Sequence, residues 1–143
     1  MKLLQTLLMG AKMKGALLFR RATLSEAQAM SIALVKAGYI RIPRGYLSFL
    51  ELSDGFAWSD LELFGCGVHE RACTVFNQPE LLTYQQKYAV GRFFKQRLVI
   101  GRATESLICY NAENKCYELV MRDGLQVMLK FPRIEDLFYQ LVV

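Results

Sequence analysis

Apolar residues recur along the chain first at helical and then at strand spacing. Leu3, Leu4, Leu7, Leu8, Ala11 and Leu18 fall on one stripe, which predicts a first helix over roughly residues 2–19, weakened by Gly10 and Gly15. Thr23-Leu24-Ser25-Glu26 has the form of a capping box, in which the threonine hydroxyl and the glutamate satisfy free amides of the first turn. The helix it starts is expected to bury Ala27, Met30 and Leu34 and to end at Gly38 in a left-handed position. Pro43 suits the opening of a further short helix, with Tyr46, Phe49 and Leu50 at i, i+3 and i+4 on its apolar face. Ser53-Asp54-Gly55 reads as a turn.

Beyond that turn the period shortens. In residues 56–65, Trp58, Leu61 and Phe64 mix with Asp60 and Glu62 in near-alternation, which predicts one strand with a wet face carrying both acids. Residues 66–78 show no period, and Pro79–Tyr88 predicts a helix that starts at the proline. Residues 97–102, 107–111, 115–121 and 125–131 then read as consecutive strands, with turn chemistry at 111–114 and at Asp123-Gly124. In the first of these hairpins, Asn114 at positive φ in a three-residue loop sets Cys116 opposite Tyr110, whereas a two- or four-residue loop sets Cys109 opposite Cys116. Asparagine accepts that conformation, so the first register is expected. Pro132 stops the sheet, and Ile134–Val143 forms a closing helix with Ile134, Leu137, Phe138 and Leu141 inward. This order argues an α+β fold, with N-terminal helices packed on a largely antiparallel sheet and a closing C-terminal helix.

Length and composition sharpen the picture. A chain of 143 residues, 53% of them hydrophobic, suits one domain with an ordinary core and excludes disorder. We expect a core over residues 23–143, preceded by a basic amphipathic segment over residues 1–22. No apolar run is long enough to span a membrane. Lys12 and Lys14 interrupt the opening leucines and no small-x-small site follows, so the expected location is cytoplasmic, without membrane insertion. The formal charge of +5 is uneven. Residues 1–45 carry eight cations against Glu26 alone, residues 51–80 hold six acids against Arg71, and residues 84–102 hold five cations and no acid. A basic front suits a solvated surface, nucleic acid or an anionic membrane surface.

Reaction machinery is sparse. His69 is the single histidine, and the pair Cys66 and His69 lacks the orienting group that activates a nucleophile. Asp60 and Glu62 on one strand face could share a proton or a cation, but such acids more commonly keep an edge wet. Gly65-Cys66-Gly67 lacks the third glycine and following helix of a phosphate loop. The four cysteines (Cys66, Cys73, Cys109, Cys116) show no C-x-x-C spacing, so neither a metal nor a cofactor is expected and all four should be free thiols. Residues 92–97 interleave cations with Phe93 and Phe94, the ingredients of stacking and phosphate contact, although adjacent aromatics on a strand cannot both face a ligand.

The run Pro43-x-x-Tyr46-x-x-Phe49-Leu50-x-x-Ser53-Asp54-Gly55-Phe56, followed by Leu63-Phe64-Gly65, resembles the SUKH superfamily. Ile100-Gly101, the Tyr110–Tyr117 hairpin and Pro132-x-Ile134-Glu135-Asp136-Leu137 follow in the order of the same template, so the likeness covers about residues 23–143. Asp54 stands where that pattern usually has asparagine. The resemblance implies an α+β domain that works without catalysis by binding protein, in bacteria often a cognate toxin that it neutralises. The expected function is therefore that of an immunity protein or intracellular adaptor, with nucleic-acid or anionic-surface binding as the alternative. Asp54, Trp58, Asp60 and Glu62 are the expected contact surface, an aromatic anchor edged by charge.

Overall fold

The computed structural model describes residues 2–70 and 77–142. Helix α1 (Lys2–Met13) is followed by the short strand β1 (Leu17–Leu18), then α2 (Leu24–Lys36) and α3 (Arg44–Leu50). Strands β2 (Phe56–Trp58) and β3 (Leu61–Leu63) come next, then a small ribbon of β4 (His69–Glu70) with β5 (Asn77–Gln78), and α4 (Leu81–Tyr88). Strands β6 (Arg97–Arg102), β7 (Ser106–Asn111), β8 (Cys116–Met121) and β9 (Gln126–Phe131) lead to α5 (Ile134–Val142). The main sheet has seven strands in the order β1-β2-β3-β6-β7-β8-β9, and every neighbouring pair is antiparallel. The protein thus has the expected α+β class, and among the described residues no helix is long and apolar enough to cross a membrane.

Local chemistry explains most boundaries. Thr23 accepts from the Glu26 amide and Glu26 from the Thr23 amide, closing the capping box at the start of α2. The Ala27, Met30 and Leu34 face is buried as its spacing requires. The first helix stops well short of residue 19. Gly15 takes φ +104°, and the Gly15 and Ala16 amides bond to Lys12 O and Ala11 O, a Schellman closure that turns the chain into β1.

Three expectations shift. Residues 56–63 form a hairpin instead of one strand: Trp58 pairs with Leu61, and Ser59 takes φ 57° in the two-residue turn between them. Asp60 therefore lies in a turn, and Asp60 and Glu62 do not share a strand face. In the β7–β8 hairpin, Asn111 Oδ1 accepts from the Glu113 and Asn114 amides, which keeps Asn111 in its strand and moves the loop to residues 112–115. Lys115, at φ 54°, takes the positive-φ position expected of Asn114. Cys116 consequently faces Asn111, and Cys109 faces Glu118. Leu125, expected in a strand, sits at φ 50° in the turn before β9.

The core lies between helices and sheet. Tyr46 and Phe49 of α3, Phe56 of β2 and Phe138 of α5 are fully buried and in ring contact. Leu98 and Val99 point to opposite faces of β6 and are both fully buried, so the sheet is covered on both sides there. The α4 side chain Gln85 donates to Val99 O (2.6 Å) and accepts from Val99 N (3.0 Å), which continues the ladder where β3 ends. The Tyr46 hydroxyl reaches Phe64 O and Ile100 O, tying α3 to the sheet.

Candidate functional site

The Ser53-Asp54-Gly55 turn places Asp54 in the interior, with no exposed surface. Its Oδ1 accepts from the Cys66 amide (2.7 Å), and its Oδ2 accepts from the Gly67 amide (3.0 Å) and lies 2.9 Å from His69 Nε2. The His69 ring stacks on Phe19 at 4.2 Å between centroids. Gly65 makes this approach possible, since a Cβ there would fall 2.2 Å from Asp54 O. Burial and the Asp54 carboxylate push the Cys66 thiol up to about 12, away from the thiolate that a nucleophile needs. The fold does gather Cys66, His69 and a carboxylate, but as a knot that fastens the 65–69 loop to the turn.

The remaining members of the expected contact surface are also occupied. Trp58 is half-buried against the core. Asp60 is exposed, but its Oδ2 accepts from the Thr104 amide (2.9 Å), a bond that holds its carboxyl below the ordinary range. Glu62 is buried and accepts from Arg102 Nε (2.7 Å). With Asp54 internal and Glu62 neutralised, these four residues form no contiguous acidic patch.

The 84–102 basic stretch is partly consumed as well. Arg97 pairs with the fully buried Glu118 (2.7 Å) and lies over the Phe93 ring at 4.0 Å, while Phe94 is buried. Lys87, Arg92 and Lys95 remain exposed, with Tyr88 the only aromatic fully at the surface beside them. Stacking surface there is small.

A different place combines depth with charge. Between α2, the 39–44 connection and the β7–β8 turn lies an open cavity of about 820 Å³. Leu24, Ile32 and Leu47 supply apolar surface, Tyr110 stands at one side, and Arg41, Arg44 and Lys115 are its charged residues. No acidic side chain lines it. Among the described residues none of these three cations joins an ion pair, while Arg20, Arg97, Arg102 and Arg133 each do. The cavity continues past Arg44 and Lys115 into a recess of about 260 Å³ bounded by Arg133 and Glu135, and past Arg41 into a shallow apolar hollow at Ile32 and Val35.

Each wall has a local cause. The outer face of α2 repeats Leu24, Gln28, Ser31 and Ile32 at helical spacing. The Ile42 amide donates to Ser31 Oγ (3.0 Å), which pins the connection along α2 and aims Arg41 and Arg44 at the opening. Lys115 arrives from the hairpin turn that Asn111 organises. Sequence reading saw the excess of cations before residue 45 but not this site. Arg41 and Arg44 beside Pro43 were the available signal, and nothing local assigned Lys115 to them.

No protein-family model matches the chain, and no curated protein matches it at a significant level. Among the described residues, no group of three or more His, Cys, Asp or Glu side chains is placed to hold a metal ion.

Proposed function

We propose that this protein is a non-enzymatic binding domain that recognises another protein, and that its contact face is the basic groove between α2, the 39–44 connection and the β7–β8 turn. The observation that carries this reading is the set of three unpaired cations, Arg41, Arg44 and Lys115, around apolar surface in a cavity of about 820 Å³. Charge supplies selectivity and encounter rate while desolvated apolar contacts supply affinity, so the combination suits a protein surface. The order of SUKH-like motifs supports the narrower role of an immunity protein that neutralises a toxin domain, or of a related cytoplasmic adaptor. The Cys66–His69–Asp54 cluster supports the same reading, because its thiol is held protonated and its carboxylate is spent on backbone amides.

The experiment is crosslinked co-purification from the native host, comparing wild type with Arg41→Glu/Arg44→Glu/Lys115→Glu and with Lys87→Glu/Lys95→Glu. Loss of one protein partner in the groove variant alone is the expected result. Retention of that partner by the groove variant overturns the site. Recovery of nucleic acid instead of protein, lost steeply with added salt and with the 87/95 variant, establishes the alternative of a phosphate-binding surface. Growth rescue, when the chain is co-expressed with a toxin domain encoded beside its gene, tests the immunity role itself.

A further inference from the structure

If the groove is the binding face, its shape and charge also define what enters it. Leu24 and Ile32 are 62% and 56% exposed although they lie on a helix whose other face is packed into the core. They stand two turns apart, roughly 12 Å along α2 at 1.5 Å per residue. Between them Gln28 is exposed and Ser31 half-buried, which completes an i, i+4, i+7, i+8 ridge, the surface on which a second helix packs. Arg41, Arg44 and Lys115 line the same cavity with no carboxylate among its lining residues, and Glu135 stands in the recess beyond Arg44 and Lys115.

We infer that the groove takes an acidic amphipathic helix of a partner protein, with its apolar stripe on Leu24, Ile32 and Leu47 and its flanking carboxylates opposite Arg41, Arg44 and Lys115. Helix-in-groove recognition uses apolar anchors at this spacing, and the charges fix its direction and partner choice. A nucleic-acid strand satisfies the cations but leaves the apolar ridge in water. The one aromatic lining the groove, Tyr110, is half-buried and in edge contact with Tyr117 at 5.0 Å, so the groove presents no row of rings on which successive bases could stack. A second copy of this chain fits poorly, because its described helices lack an acidic stripe. Helices α1, α3 and α4 contain no Asp or Glu, Glu26 of α2 is bonded to Arg20, and of the two acids in the first turn of α5 Asp136 is bonded to Arg133, which leaves Glu135 as a single acid and not a stripe.

The test uses the full 15N-labelled chain and a synthetic helical peptide of Leu, Ala, Gln and Glu, with Leu at 3.6-residue spacing and Glu along both flanks. Three controls accompany it: the peptide with Lys for every Glu, a scramble of equal composition that breaks the stripe, and an oligothymidine strand. The acidic peptide should shift amides of residues 24–32, 39–47 and 110–116. Arg44→Glu/Lys115→Glu should weaken it by about tenfold or more, and Lys95→Glu should leave it unchanged. Equal binding of the scramble overturns the helix, tighter binding of the strand at the same amides overturns the protein partner, and absence of shifts there overturns the inference outright. The two readings fail separately. Partner capture lost in the groove variant without peptide binding removes only the acidic helix, whereas peptide binding with capture unaffected removes only the proposed binding face.

Discussion

Asp54 has no exposed surface yet accepts hydrogen bonds from the Cys66 and Gly67 amides and faces His69 Nε2. A buried carboxylate is costly unless its lone pairs are filled, and these three groups fill them. Asparagine at this position would turn one acceptor into a donor against a donor. Asp54→Asn should therefore destabilise the protein by about 2 kcal/mol and Asp54→Ala by about 3, because both leave buried amides unpaired. Urea unfolding checks this, and values within about 0.5 kcal/mol of wild type would show that the 65–69 loop does not depend on the carboxylate. The turn itself was legible in Ser53-Asp54-Gly55. The inward direction of its side chain was not, because the partners come from a loop without periodicity twelve or more residues on.

At the scale of elements, helices were read best because their signals are local. The capping box and the terminating Gly38 bracket α2 in the sequence as they do in the fold. Thr23→Ala should cost about 1 kcal/mol in thermal or urea unfolding, since the Glu26 amide loses its acceptor; no change would mean that tertiary packing alone holds this end. Short strands were read worst. Residues 56–63 carry the alternation of one strand, and neither Ser59 nor Asp60 is the glycine that usually announces a two-residue turn. Pairing with β1 on one side and β6 on the other stabilises the bend instead. At the opposite edge, β9 pairs only with β8 and carries an irregularity opposite Leu119 and Val120, a feature that discourages further strand addition.

For the whole molecule, the disposition of charge follows from which acids the fold consumes. Glu62 and Glu118 are buried against Arg102 and Arg97, and Asp54 is internal, so no acid lines the α2 groove itself and Glu135 stands only in the recess beyond Arg44 and Lys115. Burial also raises the thiols of Cys66 and Cys109 to about 12 each. An unfolded thiol ionises near 8.5, so between these values the folded chain holds protons that the unfolded chain releases. Stability from this source is complete below about pH 8.5 and is lost as pH rises toward 12. Chemical-denaturation midpoints should fall over that window, and less steeply in Cys66→Ala/Cys109→Ala; an identical fall in the double variant would assign it to other groups. Both thiols should also resist a thiol reagent at pH 8 in the native protein and react once it is unfolded. Cys73, expected free, lies outside the described residues.

The presence of the helices, though not where α1 ends, the meander over residues 97–131 and the α+β class follow from the sequence alone, because periodicity, caps and turn residues act over a few positions. The excess of cations before residue 45 was equally visible. Which of the cations of the whole chain remain unpaired was decided by tertiary structure, since Arg97 and Arg102 find their acids across strands, 21 and 40 residues away. The same holds for the groove. Leu24, Arg41, Arg44 and Lys115 become one site because Ser31 pins the 39–44 connection and Asn111 shifts a hairpin loop by one residue, and both are contacts that no local pattern specifies.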